Sequence, residues 1–325
     1  MSLYRRHFLR VAPSIVALPT ISRIAMAQTY PTRPVRIVVP FAPAGTTDIA
    51  ARLIGQWLTE RLGQQFVVEN RAGANGNIGT EAVVRALADG YTLLFIDASP
   101  AINASVYEKL NFNFVRDIAP VTTVVRAHLI LVVHPSVPAQ TISEFIAYAK
   151  ANPGKISYGS AGVGSTLHVT GELFKVMAGV HLVHVPYRGG GPAMQDLVGG
   201  HVQAVFIPAP AGIEYVRGGT VRALGVTGAS RSQALPEVPT IAEHVPGYEA
   251  ATWYGVGAPS GTPSPIIDAL SKEINAGLAD TKLKMRFTEL SAEVFPGSPE
   301  SFGTLIAAET EKWARIIRTA NMRLQ

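Results

Sequence analysis

The fold is decided by the stretch Val35-Arg36-Ile37-Val38-Val39-Pro40-Phe41-Ala42-Pro43-Ala44-Gly45-Thr46-Thr47-Asp48. It opens with four β-branched apolar residues around one arginine, which predicts a buried strand. A loop of small residues follows, and apolar residues then recur at helical spacing from Ile49 to Leu62, just before Gly63. The first amides of such a helix lack partners within it, and the helix dipole favours negative charge there. The stretch therefore predicts an anion-binding loop, with an ordinary strand-to-helix turn as the alternative.

Further strand–loop–helix units follow along the chain. The loops that precede helices are 42–48, 70–77, 159–166 and 186–192, and Ser99 follows a strand at 91–96. Repeated units of this kind predict parallel sheets with helices on both faces. Because a helix dipole contributes only about 0.3–1 kcal/mol, several such loops must converge to hold one anion firmly.

The first 27 residues are predicted to be an export signal. They contain the pair Arg5-Arg6, an apolar run interrupted by Pro13 and Pro19, and the motif Ala25-Met26-Ala27. This pattern is typical of a twin-arginine-type signal peptide that ends in a cleavage site, and the run is too short to span a membrane. We therefore expect a periplasmic protein that is exported by the twin-arginine route and does not span the membrane.

Charge and length limit the possible functions. Residues 1–27 carry four arginines and no acidic residue, so without them the net charge falls from +5 to +1. A nearly neutral chain argues against nucleic acid or an anionic membrane as a partner. The roughly 300 remaining residues exceed what one core usually organises, which predicts two lobes. The chain contains no cysteine and hence no disulfide.

The glycine loops lack residues that common catalytic motifs require. Ser165 stands where a phosphate-binding loop needs lysine, and Tyr158 stands where the nucleophile elbow needs its first glycine. The first loop also lacks the G-x-G-x-x-G pattern of dinucleotide-binding folds. We therefore expect no cofactor, no metal and no enzymatic activity. A periplasmic hydrolase that uses Ser160 or Ser165 with His168 is the alternative.

Several motifs together resemble those of one known family. They are the stretches 39–48, 69–79, 89–93, 159–168, 185–193 and 235–240, spread over essentially the whole chain after the signal. In these motifs the chain resembles the periplasmic substrate-binding proteins of tripartite tricarboxylate transporters, which include the Bordetella-type uptake proteins (Bug, TctC-like). The resemblance implies an α/β two-lobe periplasmic binding protein fold, type II-like. Each lobe would be a mostly parallel sheet flanked by helices, with the ligand cleft between the lobes.

The resemblance also implies how the chain is divided into lobes and which ligand and partner proteins it binds. Lobe 1 would comprise residues 28–125 plus 252–325, and lobe 2 residues 126–251. The lobes would close on a small carboxylate, aliphatic or aromatic, which a monomer would deliver to the membrane permease subunits of its transporter. A ligand-sensing partner of a sensor kinase is a second alternative.

The same resemblance implies that loops from both lobes grip one ligand carboxylate, partly through ordered water. The candidate ligand-binding residues are Phe41, Pro43, Ala44, Gly45, Thr46, Thr47, Asp48, Ser99, Ser160, Gly162, Gly164, Ser165, Thr166, His168, Tyr187, Arg188, Gly189 and Ile207. Three of them have a structural alternative: Asp48 as a helix cap, His168 as a buried first-turn residue, and Arg188 as a cap of a neighbouring carbonyl. Trp253 and Tyr254 are interpreted either as a wall for an aromatic ligand or as core residues of a crossover strand.

Ile207 departs from the family pattern, which commonly has aspartate at this position. Isoleucine accepts no hydrogen bond, and an unpaired buried ammonium is costly. If Ile207 faces the ligand, we expect the site to disfavour amino acids and to prefer a carboxylate with an apolar body. The alternative is that Ile207 faces the core and a neighbour takes the role of the aspartate.

Overall fold

The computed structural model describes residues 30–107 and 109–319 of the chain. The expected signal peptide, residues 1–27, lies outside these residues. Within them, no helix combines the length and apolar character needed to cross a bilayer.

Strands and helices alternate from the beginning of this region. The first elements are β1 (Val35–Val39), α1 (Thr46–Leu62), β2 (Phe66–Asn70), a 3-10 turn (Ala74–Gly76), α2 (Asn77–Val84), β3 (Thr92–Asp97), α3 (Ser99–Val106) and α4 (Phe114–Asp117). The helix predicted after the first strand is confirmed, and it ends at Gly63, whose φ of 69° suits glycine.

The alternation continues through the middle of the chain. The elements there are β4 (Ile118–Val133), α5 (Ile142–Ala151), β5 (Ser157–Ser160), α6 (Thr166–Ala178), β6 (Val183–Pro186), α7 (Gly190–Val198), β7 (Ala204–Pro208), α8 (Ala209–Arg217), β8 (Arg222–Val226) and a 3-10 turn (Ile241–Glu243). The last elements are β9 (Ala251–Pro259), α9 (Ser264–Ala279), α10 (Thr281–Glu289), β10 (Glu293–Val294) and α11 (Pro299–Thr319).

The strands form two parallel groups that are joined by antiparallel strands. Their order is β2-β1-β3-β9-β4-β7-β5-β6, and β8 and β10 both pair with β4. The strand β1 is parallel to β2 and β3, and β5 is parallel to β6 and β7. The long strand β4 pairs with β9 as far as His128 and with β7 from Leu129 onward. It therefore runs from one group into the other.

Each group of strands has its own hydrophobic core. We call lobe 1 the part whose core lies between Val35 and Ala127 and between Trp253 and Ile306, and lobe 2 the part whose core lies between Leu129 and Tyr248. A small third cluster of Ile102, Val169 and Trp313 packs α3 and α11 against α6 across the lobes. The predicted two-lobe α/β fold is confirmed, whereas the boundaries at 125/126 and 251/252 remain a prediction.

Candidate functional site

A small cavity lies between the two lobes. Lobe 1 contributes the loop after β1, the start of α1, and parts of β3 and β9, and lobe 2 contributes the starts of α6 and α7 and the end of β7. The lining residues are Phe41, Gly45, Thr46, Thr47, Asp97, Ala161, Leu167, Gly190, Ile207, Pro208 and Tyr254. The carboxyl ends of parallel strands from both lobes meet here, which is where α/β proteins usually bind ligands.

The lobes are in contact around this cavity. The backbone amide of Ala42 in lobe 1 donates to the carbonyl of Arg188 in lobe 2 at 3.0 Å. The cavity volume is about 20 Å³, which is room for about one water molecule. A carboxylate with several heavy atoms therefore enters only after the lobes have moved apart, and lobes that close on it stay slightly further apart than they are here.

The N-terminus of α1 presents free donors to the cavity. Gly45 is the N-cap, and no side chain among the described residues caps this helix. The hydrogen bonds of the described region do not include the amides of Thr46, Thr47 or Asp48. The hydroxyl oxygen of Thr46 is also buried without a partner there. This helix end can therefore donate several hydrogen bonds to an anion.

The N-terminus of α7 faces the N-terminus of α1 across the cavity. A methyl group on Gly45 would lie 3.7 Å from the amide nitrogen of Gly190 and 3.8 Å from that of Gly191. Each helix carries partial positive charge at this end. Bringing the two ends together is electrostatically unfavourable unless an anion lies between them.

Asp48 is fully engaged within lobe 1. Its carboxylate accepts hydrogen bonds from the amide of Ala44 (3.1 Å), from Asn70 (2.9 Å) and from both ends of the Arg52 guanidinium (3.0 and 2.8 Å). Burial favours a raised pKa, but these hydrogen bonds outweigh it and lower the pKa of Asp48. The structure places Asp48 outside the cavity lining and gives it a role in holding the loop to α1.

Four other predicted residues lie at the rim rather than in the lining. Pro43, Ala44 and Arg188 are exposed, and Arg188 contacts lobe 1 through its carbonyl. The hydroxyl of Tyr187 donates to Asp196 at 2.5 Å, within lobe 2.

Three glycines allow the lobes to approach closely. Gly162 has a φ of 131°, and a methyl group there would lie 3.5 Å from Cβ of Asn75 in lobe 1. A methyl group on Gly164 would lie 3.1 Å from the Asn103 side-chain oxygen. Gly189 has a φ of 154°, and a methyl group there would lie 3.0 Å from the amide nitrogen of Ala42. These three predicted site residues therefore allow the two lobes to close against each other.

Three hydroxyl residues lie behind the lining. Ser165 is the N-cap of α6, and its hydroxyl accepts from the amide of His168 at 3.2 Å. The hydroxyl of Thr166 lies 3.5 Å from that of Thr252. Ser99 is fully buried beside Asp97, to whose carboxylate its amide donates at 2.9 Å.

Ser160 is not paired with His168, as one form of the hydrolase alternative requires. Ser160 lies 2.6 Å from Nε2 of His184, not from His168, and its hydroxyl also contacts Gly162. The ring of His168 stacks on that of His184 at 3.7 Å, and its Nδ1 accepts from the amide of Gly164 at 3.0 Å. The pairing of β5 with β6 brings His184, rather than His168, to Ser160.

Both stacked histidines are held neutral. Burial, and then the nearby charge of Lys175, lower the pKa of His168 to about 4. Burial and the neighbouring His168 lower the pKa of His184 to about 3. Below them, Glu172 accepts a hydrogen bond from Tyr158 (2.5 Å) and pairs with Lys175 (2.7 Å). This buried network supports the loop 159–166 from beneath.

Of the predicted residues, Phe41, Gly45, Thr46, Thr47 and Ile207 lie in the cavity lining. Sequence reasoning missed Asp97, the last residue of β3, which follows the apolar run 93–96. That position was the available signal, because side chains at the carboxyl end of a parallel strand reach the ligand side. Sequence reasoning also left open the role of Tyr254, whose register partner in β3 is Asp97.

A larger cavity of about 360 Å³ lies elsewhere, between the segment 230–234 and the segment 288–293. It contains none of the predicted site residues. Within the described residues, no group of three or more histidine and acidic side chains is arranged to hold a metal ion.

Comparisons with known proteins agree with this geometry. The model of the tripartite tricarboxylate transporter family receptor matches residues 50–322. The chain is 37% identical over 320 residues to Protein BugT of Bordetella pertussis, covering 98% of each chain. It is similar to the structure of an R. palustris protein with adipate (TM-score 0.88, 39% identity, 90% of this chain and 98% of that chain). It is also similar to MatC from Rhodopseudomonas palustris with bound malate (TM-score 0.84, 30% identity, 89% and 100%).

Two lobes with a cavity between their strand ends define a solute-binding protein. This chain belongs to the tripartite tricarboxylate transporter receptor family, which consists of periplasmic binding proteins.

Proposed function

We propose that this protein binds a small carboxylate, aliphatic or aromatic, in the cavity between its lobes. The observation that carries the proposal is the opposition of two helix N-termini, α1 with Gly45 and α7 with Gly190. A carboxylate between them accepts hydrogen bonds from both lobes and neutralises two positive helix ends. Similar proteins with adipate and malate support this class of ligand.

Binding then favours closure of the lobes. Only the closed arrangement brings both helix ends to the same anion, so a ligand shifts the population toward it. The closed protein would pass its ligand to the membrane permease subunits of a tripartite tricarboxylate transporter. Export by the twin-arginine route and a monomeric state belong to the same proposal. So do the lobe boundaries given above and the candidate ligand-binding residues that line the cavity, which are Phe41, Gly45, Thr46, Thr47 and Ile207.

We further propose that the protein binds its ligand without converting it. Ser160 is fully buried, engaged with His184 and Gly162, and lies outside the cavity lining. A nucleophile needs access to its substrate, and this hydroxyl has none in the closed arrangement. Turnover of an ester or amide that disappears in Ser160→Ala or in Ser165→Ala would contradict this proposal.

A thermal-shift screen of the protein lacking residues 1–27 tests the carboxylate proposal. The panel comprises mono-, di- and tricarboxylates and aromatic acids, with sugars and cationic compounds as controls. At a hundredfold excess over Kd, a ligand stabilises the native state by about 2.7 kcal/mol. For a chain of this size we expect a rise in Tm of about 5–10 °C. A rise with a sugar or a cation, and with none of the carboxylates, would rule out the anion site.

Thr46→Val is expected to weaken carboxylate binding about tenfold with little effect on Tm. Valine keeps the shape of threonine but removes a hydroxyl that is buried without a partner in the described region. A hydrogen bond to a charged group contributes about 1.5–3 kcal/mol, and water can replace part of it. Titration calorimetry measures the change, with Thr304→Val on the exposed face of α11 as the matched control. Equal affinity of Thr46→Val and the wild type would exclude a direct role for this hydroxyl.

A further inference from the structure

Asp97 is an acidic side chain in a cavity built for anions. It ends β3, pairs in register with Tyr254 of β9, and is only 5% exposed. It lines the same cavity as Gly45 and Thr46 at the start of α1. A ligand held at that helix end therefore lies in the same enclosed space as the Asp97 carboxylate.

The negative charge of Asp97 has little compensation. Its Oδ1 accepts a hydrogen bond from the amide of Ser99 at 2.9 Å, and the Ser99 hydroxyl and the amide of Asp97 itself also act to lower its pKa. None of the ion pairs formed within residues 30–107 and 109–319 includes Asp97. Burial raises its pKa to about 6, so it is mostly ionised at neutral pH. Burying an unpaired carboxylate is costly unless a donor or a cation satisfies it.

The residues around Asp97 do not supply that cation. The rest of the lining is largely apolar, with Phe41, Leu167 and Ile207 among it. Tyr254, its register partner, stays neutral, because burial and then the charge of Asp97 raise its pKa. The lining therefore offers Asp97 only neutral donors, the hydroxyls of Thr46, Thr47 and Tyr254, and a positive charge or a further donor must come from whatever else occupies the cavity.

A ligand with a donor group matches this arrangement. A second carboxylate of the ligand beside Asp97 would place two negative charges together, which is unfavourable. An ammonium or hydroxyl group at the same place would instead donate to Asp97. The expectation from Ile207 assumed that no acceptor faces the ligand, but Asp97 provides one from the opposite lobe.

We propose that Asp97 selects, among small carboxylates, those that also carry a hydrogen-bond donor, either an ammonium or a hydroxyl group. This inference rests on the proposed function, because it assumes that a carboxylate occupies the cavity. It assigns specificity to a lobe 1 residue, whereas the helix ends hold the carboxylate shared by all such ligands.

Titration calorimetry with matched acids tests the inference. The probes are succinate, malate and aspartate, which differ in having no added group, a hydroxyl or an ammonium, together with adipate and its 2-hydroxy and 2-amino derivatives. We expect the wild type to bind at least one donor-bearing member of a set ten times or more tighter than its parent. In Asp97→Asn this preference should fall below threefold, most for the ammonium ligand, since asparagine carries no charge. Asp268→Asn, an exposed position on α9, should keep the wild-type ratio.

Each outcome has one meaning. Equal binding of parent and donor-bearing acids by the wild type overturns the inference alone, as does an unchanged preference in Asp97→Asn. If neither these nor any other carboxylate binds, the proposed function fails and the inference fails with it. If Asp97→Asn does not fold, Asp97→Ser replaces it. The ratio of affinities for the donor-bearing and parent acids is then compared between the wild type and Asp97→Ser, with the same expected loss of preference.

Discussion

Gly191→Leu is expected to abolish tight carboxylate binding while leaving the fold intact. Gly191 lies in the first turn of α7, and any Cβ there would overlap the carbonyl oxygen of Pro43 across the cleft. Its φ is not positive, so lobe 2 by itself tolerates a side chain at this position. The substitution therefore acts on the closed arrangement of the lobes.

The expected loss of affinity is at least a hundredfold, or about 2.7 kcal/mol. Forcing extra atoms into a packed contact costs about 1–3 kcal/mol. Here the cost is at the upper end of that range, because the leucine side chain meets backbone atoms, which move less readily than a flexible side chain. Gly191→Ala should show a smaller loss in the same direction. Calorimetry measures both variants, and circular dichroism and melting check the fold.

The matched control is Gly303→Ala in α11, where a methyl group would meet Pro120 at an ordinary 3.4 Å. Small-angle scattering supplies a second readout, because the radius of gyration of the wild type should fall on addition of a ligand that binds. The radius of Gly191→Leu should stay unchanged under the same conditions. Wild-type affinity in Gly191→Leu would show that binding does not require this contact between the lobes.

The sequence predicted those parts of the site that local pattern determines. The strand from Val35 and the helix that ends before Gly63 follow from β-branched runs, helical spacing and a C′ glycine. Glycines 162, 164 and 189 lie in glycine-rich loops that precede helices, and the family resemblance identified them as candidate site residues. These signals lie within a few residues of one another, so the chain alone reveals them.

The contacts that sequence reasoning missed are those that distant strands create. Asp97 meets Tyr254 through the antiparallel pairing of β3 with β9, and Ser160 meets His184 through the pairing of β5 with β6. No local pattern specifies such a register. Similarly, Asp48 was correctly placed near the helix start, but its saturation by Arg52 and Asn70 depends on β2 lying beside β1.

Acidification from pH 7 to pH 5 is expected to destabilise the protein by about 2 kcal/mol, mainly through His168 and His184. Their folded pKa values, about 4 and about 3, lie below the ordinary value. The unfolded chain therefore binds more protons than the native state over this range. The stabilising contribution of the two histidines is complete above about pH 6.5, and it is lost as the pH falls toward their pKa values in the folded protein.

Asp97 opposes this trend. Its pKa is raised to about 6, so its ionised form costs stability at neutral pH, and acidification removes about 1 kcal/mol of that cost. The two histidines outweigh it because each contributes on the order of 1.5–2 kcal/mol over the same range. Asp97→Asn should therefore be more stable than the wild type at pH 7 and should lose more on acidification.

Thermal melts between pH 7 and pH 5 measure the net change in stability from the two histidines and Asp97. We expect the wild-type Tm to fall by about 4–8 °C. His184→Gln can keep the hydrogen bond to Ser160 but does not titrate. Because Asp97 offsets most of what His168 then contributes, the Tm of this variant should fall by only about 0–2 °C. The matched control is His181→Gln at an exposed position, which should follow the wild type. If His184→Gln loses as much stability as the wild type over this range, His184 is not the cause of the acid sensitivity. Carboxylates with a lowered pKa, such as Asp48, destabilise the protein only below about pH 4.5 and so do not contribute between pH 7 and pH 5.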